Sequence, residues 1–184
     1  MEFDASILAP AVRQLLALEG GGARLLPLVC RGPSNPEATT RLRAADPAAW
    51  FAGARSPQGA MAGLWLYFSL FEECHAAVQD LSTAEGSYWH GILHRQEPDD
   101  WNAGYWFRKA GPHPIHGPLL ERAAHLARQA EDVFDPGGQW DPLRFVELCS
   151  QARQRPGSGA ERLALEIQLA EWQLLFAWCA SVRG

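Results

Sequence analysis

Residues 159–182, GAERLALEIQLAEWQLLFAWCASV, put Leu165, Leu169, Trp172, Phe176 and Cys179 in one stripe and Ile167, Leu174 and Trp178 in a second. Apolar residues at three-and-four spacing on two faces describe a helix packed on several sides, as at the centre of a bundle. The stretch 57–81 reads the same way. Met61, Leu64, Phe68, Phe71, His75 and Val78 form its stripe, and Trp65, Leu66 and Leu70 widen it to nearly the whole circumference.

Working outward, a capping-type residue repeatedly precedes proline: Asn35-Pro36, Asp46-Pro47, Ser56-Pro57 and Asp141-Pro142. That pairing suits the last residue before a helix followed by a first turn that needs no N–H. Ser82 with Glu85 and Ser158 with Glu161 have capping-box spacing, and Gly20-Gly21-Gly22, Gly111-Pro112, Pro136-Gly137-Gly138 and Pro156-Gly157 mark stops. The helices expected are 4–19, 36–45, 57–81, 84–97, 99–109, 115–134, 142–154 and 159–182. No stretch alternates with period two, and the nearest exception, Leu25 to Cys30, contains Pro27 and has no partner strand. The fold expected is all-α, a single-domain multi-helix bundle of about seven or eight helices over 1–184.

The 184 residues, 47% hydrophobic and 20% charged, suit one folded domain and exclude disordered, collagen-like and membrane-spanning classes. A net charge of -5 argues against nucleic acid and anionic membrane surfaces as partners. Cys30, Cys74, Cys149 and Cys179 form no Cys-x-x-Cys pair, so reduced thiols and a cytoplasmic location are expected. The acidic start, Met1 to Asp4, does not read as a targeting segment. Phosphate-loop, dinucleotide and serine-elbow motifs are all absent from the sequence.

Chemistry concentrates between Trp65 and His116. The span holds His75, His90, His94, His113 and His116 of the six histidines, all three tyrosines, and Trp65, Trp89, Trp101 and Trp106 of the eight tryptophans. His90 and His94 are four apart and share a helical face, with Glu97 three further on. If 57–81 and 84–97 make an antiparallel hairpin, His75 comes level with the gap between His90 and His94, since rise per residue is equal at ~1.5 Å. Three imidazoles can then converge, although spacing leaves the rotation of each helix open.

Three readings follow. In the first, a small-molecule enzyme or binding protein accepts an anionic ligand: His90, His94 and Glu97 do acid–base work, and Arg95 and Arg108 hold the anion. His75, Asp99, Asn102 and His113 contribute polar contacts, and Trp89, Tyr105 and Trp106 wall the pocket. In the second, the same residues form a structural polar network in a non-catalytic interaction module. In the third, His75, His90 and His94 bind a divalent metal. Against the third, Gly91 stands where a zinc protease has glutamate, and only Glu72 with His75 has the di-iron Glu-x-x-His spacing. The sequence requires no cofactor, and association with further copies of the chain stays open. His116 is expected at the surface.

The run Tyr88-Trp89-His90, Ile92, His94-Arg95, Glu97, Asp99, Asn102, Tyr105-Trp106-Phe107-Arg108, Gly111 and His113-Pro114 resembles the hallmark stretch of an uncharacterised family of all-helical proteins. The likeness covers residues 88–114, about a seventh of the chain, with Asp100 where that family usually has an aromatic and Gly104 where it has a basic residue. The resemblance implies a helical fold and a place for a site, and no reaction.

Overall fold

A computed structural model describes residues 3–130 and 134–182. Among them are ten α-helices: α1 (Pro10–Ala17), α2 (Pro36–Arg43), α3 (Pro47–Trp50), α4 (Pro57–Tyr67), α5 (Phe71–Gln79), α6 (Ala84–Gln96), α7 (Asp100–Ala110), α8 (His116–Gln129), α9 (Pro142–Arg153) and α10 (Gly159–Ala180). Two 3-10 turns, Ala5–Ile7 and Gly20–Gly22, complete the regular structure. Among the described residues there is no strand, and an isolated bridge joins Ala54 to Val182. The fold is all-α.

The proline-linked caps form as read. Asn35, Asp46, Ser56 and Asp141 accept from the backbone N–H of Ala38, Ala48, Gly59 and Leu143, and Ser158 accepts from that of Glu161. At α6 the cap is Thr83 rather than Ser82, its hydroxyl accepting from Gly86 N–H at 3.1 Å. The first helix begins at Pro10, not at residue 4, because Ala9 is extended as the residue before a proline prefers. The expected range 115–134 is helical from His116 to Gln129, and its residues 131–133 lie outside those described.

Ten helices replace the expected seven or eight partly through the one-turn α3 and partly because 57–81 is broken in two. Leu70 N–H donates to Trp65 C=O at 2.8 Å and Ser69 N–H to Leu66 C=O at 3.0 Å. This is a Schellman ending with Ser69 in the left-handed region, φ 57°, where glycine is usual. The carbonyls released by the break find donors in the 30–34 loop: Ser34 N–H and Oγ reach Phe68 C=O, and Cys30 Sγ reaches that of Ser69.

Helix α10 runs through the centre against α4, α8 and α9. Trp172, Leu175, Phe176 and Cys179 belong to the larger apolar cluster, while Leu163, Ala164, Ile167 and Ala170 belong to a second cluster formed with α8 and α9. Each fully buried Leu or Phe in such a core contributes about 1.5–3 kcal/mol. Buried polar groups on α10 are spent on tying down other segments. Trp172 Nε1 donates to Gly63 C=O at 2.7 Å, Gln168 Nε2 to Leu26 C=O at 2.9 Å, and Gln173 Nε2 to Gly22 C=O at 2.9 Å. The glycine stop is further held by the buried Tyr67 hydroxyl, which accepts from Gly22 and Arg24 N–H at 3.1 Å each. A Cβ on Gly22, at φ +94°, would stand 2.4 Å from the Phe3 ring, so the close approach requires glycine. Among the described residues, no helix is long and apolar enough to cross a membrane.

Candidate metal centre

Helices α5 and α6 pack against each other across the turn at 80–83, which brings His75 beside the His90–His94 pair. One ligand nitrogen from each of the three rings lies within 4.8 Å of the other two. His90 and His94 are stacked, 4.8 Å between centroids and 10° between planes. His75 meets both edge-on, at 4.9 Å from His90 and 5.7 Å from His94. Trp106 of α7 lies flat on the other side of His90, at 3.8 Å and 15°. The Lys109 ammonium sits 4.3 Å above the Trp106 ring.

His90 is 1% exposed, and neither of its ring nitrogens has a hydrogen-bond partner among the described residues. Burial, reinforced by His94, His75 and Lys109 nearby, holds its pKa down at about 3, so the ring is neutral with one lone pair unused. His94 has a carboxylate neighbour: Glu97 Oε2 lies 2.9 Å from Nδ1, within ion-pair reach but not aligned as a hydrogen bond. A carboxylate at the far nitrogen of a histidine is the usual way to orient it as a ligand. Glu97 also borders a groove of about 840 Å³ whose lining includes Glu72, Glu73 and Asp99.

The other expected site residues are not brought to this cluster. Trp89 is fully buried in the core, its ring 2.9 Å from where a Cβ on Gly63 would stand. Arg95, also fully buried, points to α10, where its Nη2 pairs with Glu171 Oε2 at 2.5 Å and lies 3.3 Å from Gln168 Oε1. Tyr88 donates to the other Glu171 oxygen at 3.1 Å, and the Arg95 guanidinium stacks on Phe145 at 4.4 Å. Asp99 caps α7, accepting from Asn102 N–H at 3.0 Å and Asn102 Nδ2 at 2.6 Å, so both residues serve the helix start. Asp100 pairs with Arg153 at 2.7 Å. Tyr105 is exposed beside Trp101, the rings nearly parallel.

Arg108 and His113 lie elsewhere again. Arg108 is exposed on the rim of a separate cleft. His113 is buried between Tyr88 and Trp178, where loss of water lowers its pKa to about 4. His116 is half-buried rather than on the surface, since it packs at 5.8 Å from the Tyr88 ring.

The spacing puts Asn102, Trp106 and Lys109 in one row of α7 and Trp106 in the wall of a pocket; the packing adds that Trp106 covers His90 and that Lys109 lies over Trp106. No protein-family model, no curated protein and no solved structure matches this chain, so the geometry of its own residues is what bears on function.

Proposed function

We propose that this protein binds a divalent transition-metal ion through His75, His90 and His94, with Glu97 orienting His94. The observation that carries this reading is the convergence of three imidazoles around His90, a buried ring with both nitrogens unpartnered. A histidine kept in a helix interface only for packing normally finds a partner, because an unpaired buried polar group costs about 1–3 kcal/mol. An ion supplies that partner, and neutral imidazole is the protonation state it needs. The ligand nitrogens stand up to 4.8 Å apart, and metal–nitrogen bonds of about 2.0–2.1 Å require the rings to turn toward a common point.

The surroundings favour a cation. Glu72, Glu73, Glu97 and Asp99 border the adjoining groove, and of these Glu73 is neutralised by Arg43 at 2.5 Å. Three nitrogen ligands leave a fourth position for water or a small ligand, the arrangement of an open rather than a closed structural site. Acid–base use of the same histidines on an anionic ligand is less well supported, because Arg95 is committed to Glu171 and Arg108 lies in another cleft.

The test is metal analysis of the purified chain together with titration of the metal-free protein with Co2+, read by its visible absorption, and with Zn2+ by calorimetry. One ion per chain, lost in a His75→Ala/His94→Ala variant that keeps its helical circular dichroism, is the expected result. Failure of the wild-type chain to take up either ion, or equal uptake by the variant, overturns the reading.

A further inference from the structure

A second cleft lies away from the histidine cluster, where the end of α7, the 111–117 turn and the 138–143 segment meet. Its volume is about 480 Å³, inside the range of roughly 300–1,000 Å³ typical of small-molecule sites. Its walls are mainly apolar: Phe107, Leu120, Trp140, Pro142 and Leu143.

Its polar lining groups include Arg108, His116, Gln139 and Trp140 Nε1, the last unpartnered among the described residues. Arg108 makes no ion pair or hydrogen bond among the described residues and lines the cleft as an exposed cation. His116 accepts from His113 N–H at Nδ1, at a long 3.5 Å, which places the proton of the neutral ring on Nε2. That Nε2 is buried and has no acceptor among the described residues. Burial lowers the pKa of His116, so the ring is neutral and adds no charge to the cleft wall. The acid on the lining, Asp141, is engaged as the cap of α9, accepting from Leu143 N–H at 2.9 Å.

The glycines keep this space open. A Cβ on Gly117 or Gly138 meets nothing within 4 Å, so packing does not demand glycine at either place. Gly117 lies within the first turn of α8, and glycine is among the poorest helix formers. Its missing side chain leaves room at the rim of the cleft instead.

We propose that this cleft binds a small aromatic monocarboxylate, its apolar body against Trp140 and Leu143 and its carboxylate held by Arg108. One exposed guanidinium matches a single negative charge, whereas a phosphate dianion would face Asp141 without a second cation. This site is independent of the metal reading.

The test is calorimetry of the full chain with indole-3-acetate and with its neutral amide as probes. The acid binds, the amide binds at least about tenfold more weakly, and Arg108→Gln removes about the same factor for the acid alone. Gly117→Leu, which fills the rim, abolishes binding while leaving thermal unfolding in place, and His75→Ala leaves binding unchanged. Should Gly117→Leu fail to fold, Arg108→Gln, a change at an exposed residue, decides by itself. Absence of binding at millimolar acid, equal affinity for acid and amide, or an unaltered Arg108→Gln variant each overturns the proposal.

Discussion

His90 and Trp106 lie face to face, ring centroids 3.8 Å apart and planes 15° from parallel, so the indole of α7 closes the solvent side of an imidazole on α6. Burial is the leading cause of the low His90 pKa, about 3. Replacing Trp106 by alanine exposes the ring and is expected to raise that pKa toward 6.5 in metal-free protein. A histidine NMR titration measures it, and an unmoved His90 resonance would show that the neighbouring charges, rather than the indole, set the value.

Glu97 stands 2.9 Å from His94 Nδ1. Glu97→Gln is therefore expected to weaken metal binding by about 10–100-fold without unfolding the protein, as loss of an outer-shell carboxylate does. Zinc competition titrations read the change, and the thermal midpoint of the metal-free variant should stay where it was.

Arg95 and Glu171, 1% and 0% exposed at their side chains, form an ion pair inside the bundle. Glu171→Gln leaves a buried guanidinium without its counter-charge and is expected to cost about 3–5 kcal/mol in urea unfolding. The double change Arg95→Met/Glu171→Leu should recover most of that loss, since no charge is then stranded. A double variant no more stable than the single one would contradict this account.

Acid sensitivity follows from His113. Its pKa is about 4 in the folded chain and about 6.5 when unfolded, so between those values the unfolded state holds the extra proton. Stability is complete above pH 6.5, falls as pH drops, and has lost about 3 kcal/mol from this group once pH passes below 4. His90 adds a loss of the same sign in the metal-free protein. Urea midpoints across this window should decline, and His113→Gln should flatten part of the slope.

Ser69 holds φ 57° at the break between α4 and α5. A non-glycine residue there costs roughly 1–2 kcal/mol, so Ser69→Gly is expected to raise stability by about 1 kcal/mol. Thermal unfolding measures it, and a lower midpoint would mean that the serine side chain matters more than its backbone.

The helices were legible because their signals are local. A cap is an oxygen reaching an N–H two or three residues on, and a proline in the first turn gives up no hydrogen bond, so Asn35-Pro36, Asp46-Pro47, Ser56-Pro57 and Asp141-Pro142 announce helices from their own residues. The break at Ser69 left no such mark, since neither glycine nor proline stands there, and what satisfies its carbonyls is Cys30 and Ser34 from another segment. The equal rise of two antiparallel helices likewise set His75 at the height of His90 and His94.

Rotation about each helix axis was beyond that arithmetic, and tertiary packing decided it. Helix α6 is buried on nearly every side, so its pattern names no inner face. Packing turned His90 and His94 toward α5 and α7, and Arg95, one residue further, toward Glu171 on α10. Local signals in the chain are enough to make it helical and to gather the chemistry-bearing residues in one segment. Only the tertiary structure separated them into a histidine cluster, a buried ion pair and an arginine-rimmed cleft, because those partnerships depend on side chains that lie far apart along the chain.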